Sequence, residues 1–398
     1  MTYDLERIRS AFPALAHGVA HFDGPGGSQT PTPVAEAVAA AMTSGISNRG
    51  TVTDAELRAE HVVAEGRTAM ADLLRADPRG IVFGRSMTAL TFDLARTLAR
   101  DWRAHDEVVV TRLDHDANIR PWVIAAEGAG ATVRWLDFDP DTAELDDLEP
   151  VLSERTRLVA VTGGSNLFGT RPDVRAIADA AHQVGALVHL DAVHLAPHAR
   201  LSLPDLAADF VACSPYKFFG PHHGVLAAAP DLLETLRPDK LLPSSDAVPE
   251  RFETGTLPYE LIAGTTAAVD FLAALGSDAD DRRTALDESY AALEAHEDAL
   301  CHRLLEGLAG IDRVVVHGRP KHRTPTALFS VDGVAGRRVH EELAARKVNA
   351  PAGSFYAIEA SRHAGLGDEG GVRAGLAPYT SAEEVDRLLA GVADIAAS

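Results

Sequence analysis

The stretch "DFVACSPYKFFGPHHGVLAAA" covers residues 209–229 and joins two apolar runs through a turn that carries one lysine. The runs at 209–214 and 224–229 are typical of buried β-strands, because both of their faces are apolar. Lys217 lies between aromatic residues in the turn and has no acidic side chain within three positions. A desolvated lysine has a lowered pKa and is nucleophilic when neutral, so we predict a reactive role for Lys217.

Five further runs of the same apolar, β-branched kind precede this stretch, and helical patterns such as "VRAIADAAHQVG" separate most of them. Strands that are buried on both faces and alternate with helices predict an α/β fold with a mostly parallel, seven-stranded sheet. The five runs are "GIVFG" at 80–84, "DEVVVT" at 106–111, "TVRWLDF" at 132–138, "RLVAVTGG" at 157–164 and "ALVHLDA" at 186–192.

The pattern changes in the last third of the chain. Residues 280–310 have the apolar periodicity of one long amphipathic helix. "DRVVVHG" at 312–318 and "TALFSVDG" at 326–333 are typical of strands, and 381–398 of a final helix. Ser381 is predicted as the N-cap of that helix, because a serine hydroxyl at this position can accept hydrogen bonds from backbone N–H groups of the first turn.

This change of pattern indicates two domains with a boundary near 265–285. We expect a large cofactor-binding domain over 31–275 and a smaller α+β domain over 276–398. The N-terminal segment 1–30 is expected to join the smaller domain.

Composition limits the function classes. The chain has 37 basic and 58 acidic side chains, and a net charge of −21 argues against nucleic acid and anionic membranes as partners. No apolar run approaches the roughly 20 residues that span a bilayer. The beginning, "MTYDLERIRSAFPAL", carries acids and lacks the apolar core of a signal peptide. Two cysteines exclude a disulfide framework and fit a reducing compartment, so we expect a cytoplasmic location.

Polar residues follow several of the predicted strands at the point where each strand ends. Because ligands of open α/β sheets bind beyond the carboxyl ends of the strands, we expect these side chains to form one site. They are Ser86, Thr88, Asp114, His115, Asn166, Asp191, His194, Ser214, Tyr216 and Lys217.

The chemistry of this set matches what pyridoxal phosphate requires. A lysine such as Lys217 bonds covalently to the aldehyde of that cofactor, and a carboxylate such as Asp191 keeps the ring nitrogen charged. Hydroxyls and backbone N–H groups at the start of a helix hold a phosphate, and Ser86 and Thr88 begin a helical pattern. The residues therefore predict a pyridoxal phosphate enzyme.

Several motifs resemble segments of the class V aminotransferase and cysteine desulfurase family, whose members are fold type I pyridoxal phosphate enzymes. "LDHDANIRPW" at 113–122 resembles the segment whose histidine stacks on the cofactor ring, which implies that role for His115. "GGSNLFGT" places Asn166 near the ring hydroxyl. "LDAVHLAPH" gives Asp191 to the ring nitrogen, with His194 where a glutamine usually contacts the ring hydroxyl.

The resemblance also covers the lysine turn and the phosphate loop. "CSPYKFFGPHHG" is similar to the family segment that carries the cofactor lysine, so Lys217 and His115 are the catalytic candidates. The resemblance also implies that Ser214 faces the phosphate and that Tyr216 stands where the family has a histidine. "FGRSMTAL" at 83–90 is similar to the phosphate loop, which adds Ser86, Met87 and Thr88.

Two segments further along the chain imply further contacts. "RFETGTLPYE" at 251–260 resembles a segment whose threonine, here Thr256, reaches the phosphate in the partner subunit. The resemblance therefore implies a homodimer with composite active sites. "GGVRAGLAPYTSAEEVDRL" at 370–388 resembles the segment whose arginine, here Arg373, holds the substrate carboxylate.

One departure from the family pattern concerns sulfur. The counterpart of the desulfurase cysteine loop is "VNAPAGSFYAIEA" at 348–360, and Tyr356 falls about where the cysteine would be. Cys213 ends a core strand and Cys301 lies in the long helix, so neither is expected to form a persulfide, which needs an accessible thiol. We therefore predict a C–S lyase that acts by β-elimination on cysteine or an S-substituted cysteine, with Tyr356 near the substrate.

Other reactions remain open at this point. Transamination, epimerisation and decarboxylation-linked deamination begin in the same way, and a non-catalytic binding role is a further alternative. A metal-dependent hydrolase is a remote alternative, but its histidines and aspartates match no usual zinc signature, so no metal is predicted. The residues concerned are Asp114, His115, Asp116, His189, Asp191, His194 and His198.

Overall fold

All seven predicted strands lie side by side in one sheet of the computed structural model, which describes residues 3–398. Each strand is slightly shorter than the apolar run that predicted it or matches that run closely. The strands are β2 Ile81–Gly84, β3 Glu107–Thr111, β4 Thr132–Leu136, β5 Thr156–Thr162, β6 Leu187–Asp191, β7 Phe210–Cys213 and β8 Gly224–Ala228.

The order across this sheet is β2-β8-β7-β6-β5-β3-β4. β8 runs antiparallel to both of its neighbours, and the other pairs are parallel. β7 and β8 flank the lysine turn, so this turn lies at the carboxyl edge where the parallel strands end. The predicted α/β architecture with a mostly parallel, seven-stranded sheet is confirmed.

Helices cover both faces of the sheet, which explains why most of its strands are apolar on both sides. The edge strand β4 differs from this expectation, because its Thr132 and Arg134 are exposed. Val109 packs into one core, whereas its neighbours Val108 and Val110 pack into the core on the opposite face. The helices before the last third of the chain are α1 Leu5–Ser10, α2 Thr32–Thr43, α3 Asp54–Leu74, α4 Met87–Ala99, α5 Arg120–Ala129, α6 Val174–Gln183, α7 Leu203–Leu206, α8 Pro230–Thr235 and α9 Tyr259–Ala273.

A second, smaller sheet has the order β12-β13-β10-β9 and is antiparallel. β13 was not predicted as a strand, because "GVRAG" is short and contains two glycines. The elements of this part are β9 Val314–His317, β10 Thr326–Val331, β11 Val348–Asn349, β12 Ala352–Gly353, β13 Gly371–Gly375, α10 Arg282–Ala309, α11 Gly336–Ala345, α12 Ile358–His363 and α13 Ala382–Ala397.

Ser381 caps α13 as predicted. Its hydroxyl accepts a hydrogen bond from Glu384 N at 3.3 Å, and the Glu384 carboxylate accepts from Ser381 N at 2.9 Å. This reciprocal pair satisfies two N–H groups at the helix start.

The N-terminal segment contacts the C-terminal part of the chain. Its short strand β1 Ala20–His21 pairs in parallel with β11, and Asp23 forms a β-bridge with Gly375. The first half of α10 packs into the core of the large sheet, whereas its second half packs into the core of the smaller one. The domain boundaries given above stay a prediction.

Within residues 3–398, none of the helices combines the length and the apolar character needed to cross a membrane.

Candidate active site

A cavity of about 660 Å³ opens at the carboxyl edge of the large sheet. It brings together the predicted site residues except Asp114 and Thr256. Asp114 is fully buried beside the cavity, because its carboxylate accepts hydrogen bonds from Thr111 Oγ1, Asn118 Nδ2 and Thr162 N. Thr256 lies outside the cavity and is exposed. The predicted residues that line it are Ser86, Met87, Thr88, His115, Asn166, Asp191, His194, Ser214, Tyr216, Lys217, Tyr356 and Arg373.

Lys217 reaches this cavity from the 3₁₀ turn Pro215–Lys217, directly after β7. Burial, followed by the nearby positive charge of Arg373, lowers the pKa of its amine to about 8. Its Nζ donates a hydrogen bond to the Pro25 carbonyl. A fraction of this amine is therefore neutral near pH 7 and able to attack an aldehyde.

Asp191 ends β6 and is buried in the cavity wall. Its Oδ1 accepts a hydrogen bond from Val193 N at 2.9 Å. Burial raises the pKa of this carboxyl to about 6, while the hydrogen bond and the charge of Lys217 oppose the rise. The group is mostly ionised at pH 7, as a partner for a ring nitrogen cation must be.

His115 follows β3 and forms a stacked pair with Tyr356, with ring centroids 5.6 Å apart. Its Nδ1 accepts a hydrogen bond from Ala117 N at 3.0 Å. Burial, helped by the charges of Lys217 and Arg373, lowers the pKa of His115 to about 4. His115 is therefore neutral, carries its proton on Nε2, and offers a flat face to a ring.

Asn166 Oδ1 and His194 Nδ1 are buried polar atoms of the wall without a hydrogen-bond partner among residues 3–398, and Arg373 Nε is a third such atom. The Asn166 amide donates to the Phe355 carbonyl at 2.9 Å, and His194 Nε2 lies 2.9 Å from Thr324 Oγ1 and 3.0 Å from Thr326 Oγ1. A buried polar atom without a partner is costly, so Asn166 Oδ1 and His194 Nδ1 fit a bound molecule with polar ring substituents.

The N-terminus of α4, where the phosphate site is predicted, forms one end of the cavity. Ser86 caps this helix, since its Oγ accepts from Ala89 N at 3.1 Å. Gly224 allows the backbone of Ser86 and Met87 to pack closely against the start of β8, because a Cβ at Gly224 would lie 2.2 Å from Ser86 C and 2.4 Å from Met87 N. Free N–H groups and hydroxyls at a helix start suit a phosphate. The cavity therefore fits pyridoxal phosphate at both ends.

Replacing Gly224 by alanine is expected to raise the Kd for pyridoxal phosphate by about tenfold or more, because the added methyl displaces the Ser86 loop. Titration of the apoprotein with the cofactor, followed by absorbance, measures this Kd. Gly128→Ala is the matched control, since a Cβ at Gly128 meets nothing within 4 Å. Equal Kd values for the two variants would contradict the proposed role of the Gly224–Ser86 contact in cofactor binding.

Arg373 is more enclosed than an open substrate anchor, because only 2 % of its side chain is exposed. Its Nη2 donates to Asp23 Oδ1 at 2.7 Å, its Nη1 donates to the Asn166 carbonyl at 3.0 Å, and its guanidinium lies 3.7 Å from the Phe355 ring centroid. Burial lowers the pKa of Arg373, and the Asp23 carboxylate opposes this.

The sequence reasoning missed several wall residues. Asp23 lies in "FDGPGGSQTP" at 22–31, where the glycines indicate a tight turn and do not by themselves mark the carboxylate as a site residue. Arg120 and Asp116 form an ion pair at 3.1 Å, and their i,i+4 spacing in "LDHDANIRPW" is compatible with a pair but does not place it on the cavity wall. The cavity residues missed as site residues include Asp23, Pro25, Gly26, Phe92, Arg120 and Phe355, whereas Asp116 was considered above only for a metal site.

The histidines considered for a metal site form separate pairs. His189 Nδ1 lies 2.9 Å from Asn118 Oδ1, and His198 Nδ1 lies 2.9 Å from Glu297 Oε2. In the described part of the chain, no three His, Cys, Asp or Glu side chains are arranged to hold a metal ion.

A family model described as Aminotransferase class-V matches residues 20–388. The chain belongs to the class V aminotransferase family. This family includes the cysteine desulfurases, and its members depend on pyridoxal phosphate. The proposed resemblance, the fold type and the cofactor class are therefore confirmed.

Curated relatives and solved structures of this family match nearly the whole chain. An uncharacterized protein of Mycobacterium tuberculosis is 35 % identical over 99 % of this chain and 100 % of its own length. A Mycobacterium leprae protein named "Probable cysteine desulfurase 2" is 32 % identical over 98 % and 96 %. The apo structure of cysteine desulfurase from Thermococcus onnurineus NA1 has a TM-score of 0.89, with 26 % identity and 98 % of each chain covered.

Proposed function

We propose that this member of the class V aminotransferase family is a C–S lyase that acts by β-elimination on cysteine or an S-substituted cysteine. It would do so without a persulfide cysteine, unlike the desulfurases it resembles. The observation that carries this proposal is the position of the two thiols.

Both cysteines are buried, and neither of them lines the cavity. Cys213 is 0 % exposed at the end of β7, and Cys301 is 4 % exposed in α10. Burial raises the pKa of the Cys213 thiol strongly and that of Cys301 to about 11. A persulfide forms on an accessible thiolate, so neither side chain suits that role. Two reduced, buried thiols also agree with a cytoplasmic location, which stays part of this proposal.

When bound, pyridoxal phosphate supplies an electron sink for charge that develops at the substrate α-carbon. Arg373 would hold the α-carboxylate of the substrate, and Lys217 Nζ would remove the α-proton as a general base. The Asp191 carboxylate would keep the cofactor ring nitrogen protonated, and the neutral His115 would hold the ring in place by stacking.

Loss of the α-proton is followed by cleavage of the β-carbon–sulfur bond, and the sulfur leaves with the bonding pair as a thiolate. The remaining 2-aminoacrylate takes up water and gives pyruvate and ammonia. No oxidant is needed, and the thiol or sulfide is released as such.

Tyr356 is suited to contact the leaving group. It lines the cavity, 77 % of it is exposed, and it adopts a left-handed backbone with φ 59°. Its carbonyl accepts a hydrogen bond from Asp116 N at 2.8 Å, which holds this costly conformation. A strained aromatic residue at the mouth of a cavity favours a substrate role for Tyr356.

The homodimer with composite active sites is part of this proposal. Thr256 is exposed, and Leu241 and Leu242 in the preceding segment are 66 % and 96 % exposed. Exposed apolar side chains of this size favour a covered interface.

Thr256→Ala is expected to weaken cofactor binding by about 1–2 kcal/mol, the scale of one hydrogen bond to a charged group. Cofactor titration measures the loss, and Thr254→Ala, an exposed threonine two positions away, is the control. Light scattering should report a dimer for all three proteins. A monomer that retains full activity in dilute solution would refute the composite site.

The proposed reaction is tested on a panel of S-substituted cysteines by quantifying pyruvate, ammonia and alanine. Pyruvate with an equal amount of thiol supports elimination, whereas alanine as the main product contradicts it.

A further inference from the structure

Arg373 has a carboxylate partner within its own chain. Its Nη2 is 2.7 Å from Asp23 Oδ1, and both residues line the active-site cavity. The Arg373 side chain is 2 % exposed, whereas that of Asp23 is 34 % exposed. Asp23 is therefore the open, cavity-facing member of this ion pair.

The backbone fixes where Asp23 lies. Gly375 N, two residues after Arg373, donates to the Phe22 carbonyl at 2.8 Å. Gly24 allows close contact on the other side, since a Cβ there would lie 2.7 Å from the Leu376 carbonyl oxygen. The N-terminal segment is thus packed directly against the end of β13, and Asp23 is held next to Arg373.

We propose that Asp23 is a displaceable counterion that competes with the substrate α-carboxylate for Arg373. This inference rests on the proposed role of Arg373 as the carboxylate anchor. A guanidinium already paired with one carboxylate is nearly neutralised, so it attracts a second one weakly. Two carboxylates on the same guanidinium also repel each other. A substrate must therefore push Asp23 away from Nη2 to bind well.

This competition selects amino acids over simple carboxylic acids. An amino acid gains a second attachment in the cavity through its amine, which offsets the cost of displacing Asp23. A monocarboxylate such as propionate has no amine for a second attachment, so its carboxylate competes with Asp23 for Arg373 without that compensation. Asp23 is thus a specificity-determining residue, although the proposed reaction gives it no chemical step.

The test measures the affinity of the holoenzyme for propionate by calorimetry. Asp23→Asn keeps the size of the side chain but removes its charge, so we expect the Kd for propionate to fall by about tenfold. Asp23→Glu retains the competitor and should stay within a few-fold of the wild type. In the background of Arg373→Gln, the gain from Asp23→Asn should disappear.

A gain of affinity separates competition from structural support. If Asp23 merely positioned Arg373, its replacement would raise the Kd for propionate, and that result or an unchanged Kd overturns the inference. Asp23→Ser repeats the measurement if the asparagine variant does not fold. The KM for the amino-acid substrate should fall in parallel with the propionate Kd.

The failure of this inference and that of the proposed function give different results. Pyruvate formation by the wild type together with unchanged propionate affinity in Asp23→Asn refutes the competition alone. Absence of pyruvate together with tighter propionate binding in Asp23→Asn refutes the lyase reaction and leaves the competition intact.

Discussion

Lys217→Ala is expected to lower kcat on S-substituted cysteines by at least about a thousandfold, the scale on which a general base contributes. The variant would lose both the amine that is proposed to attach the cofactor covalently and the base that is proposed to remove the α-proton. Burial lowers the pKa of this amine to about 8, so its neutral form is available near neutral pH. Steady-state kinetics with pyruvate detection measures the loss.

The attachment is read out separately from turnover. Borohydride reduction of the wild-type holoenzyme should fix the cofactor on the peptide that contains Lys217, and the alanine variant should show no such adduct. Lys217→Arg keeps a positive charge but cannot form the bond, so it should be equally inactive. Lys321→Ala, which removes an exposed lysine, should behave as the wild type. An adduct on another lysine with full activity in Lys217→Ala would refute the assignment.

The sheet and the inner wall of the cavity were predictable because they follow from local patterns. Most strands of the large sheet are short apolar runs. Because parallel strands end at one edge of the sheet, the polar residues that follow them lie together at that edge. Asp191 illustrates this, since it is the last residue of β6 and lies in the cavity wall.

The rest of the site depends on contacts between distant parts of the chain, which local patterns do not report. The Asp23–Arg373 ion pair joins residues 350 positions apart, and it exists because β1 and β13 bring the two segments together. β13 itself was missed for a related reason, since a short glycine-containing strand is stabilised by its neighbours rather than by its own composition.

The outer rim of the cavity shows a second reason why sequence patterns do not predict the whole site. Tyr356 was aligned by its distance from the family cysteine, but its exposure and left-handed backbone follow from the loop geometry set by Phe355 and Asp116. Thr256 shows a third reason: the phosphate that it is predicted to contact is bound in another subunit, and within a single chain Thr256 is exposed.

The double variant Cys213→Ser/Cys301→Ser is expected to form pyruvate from S-substituted cysteines at a rate within about twofold of the wild type. β-Elimination needs no protein thiol, since the bonding pair leaves with the substrate sulfur. A desulfurase, in contrast, transfers that sulfur to a cysteine and releases alanine. Because the two reactions share a substrate and differ in product, quantifying pyruvate and alanine from one incubation distinguishes them.

Stability is the main confounding effect, because both thiols are buried and serine introduces a hydroxyl into an apolar core. The single variants and Cys213→Ala/Cys301→Ala, which add no polar group, control for this, with thermal unfolding measured on each. Pyruvate formation should persist in every variant that folds. If alanine is the main product of the wild type, is lost with one cysteine, and is accompanied by a persulfide trapped on that residue, the enzyme is a desulfurase and the elimination mechanism is wrong. Burial argues against that outcome, since Cys213 would have to leave the end of β7, the strand that positions Lys217 itself.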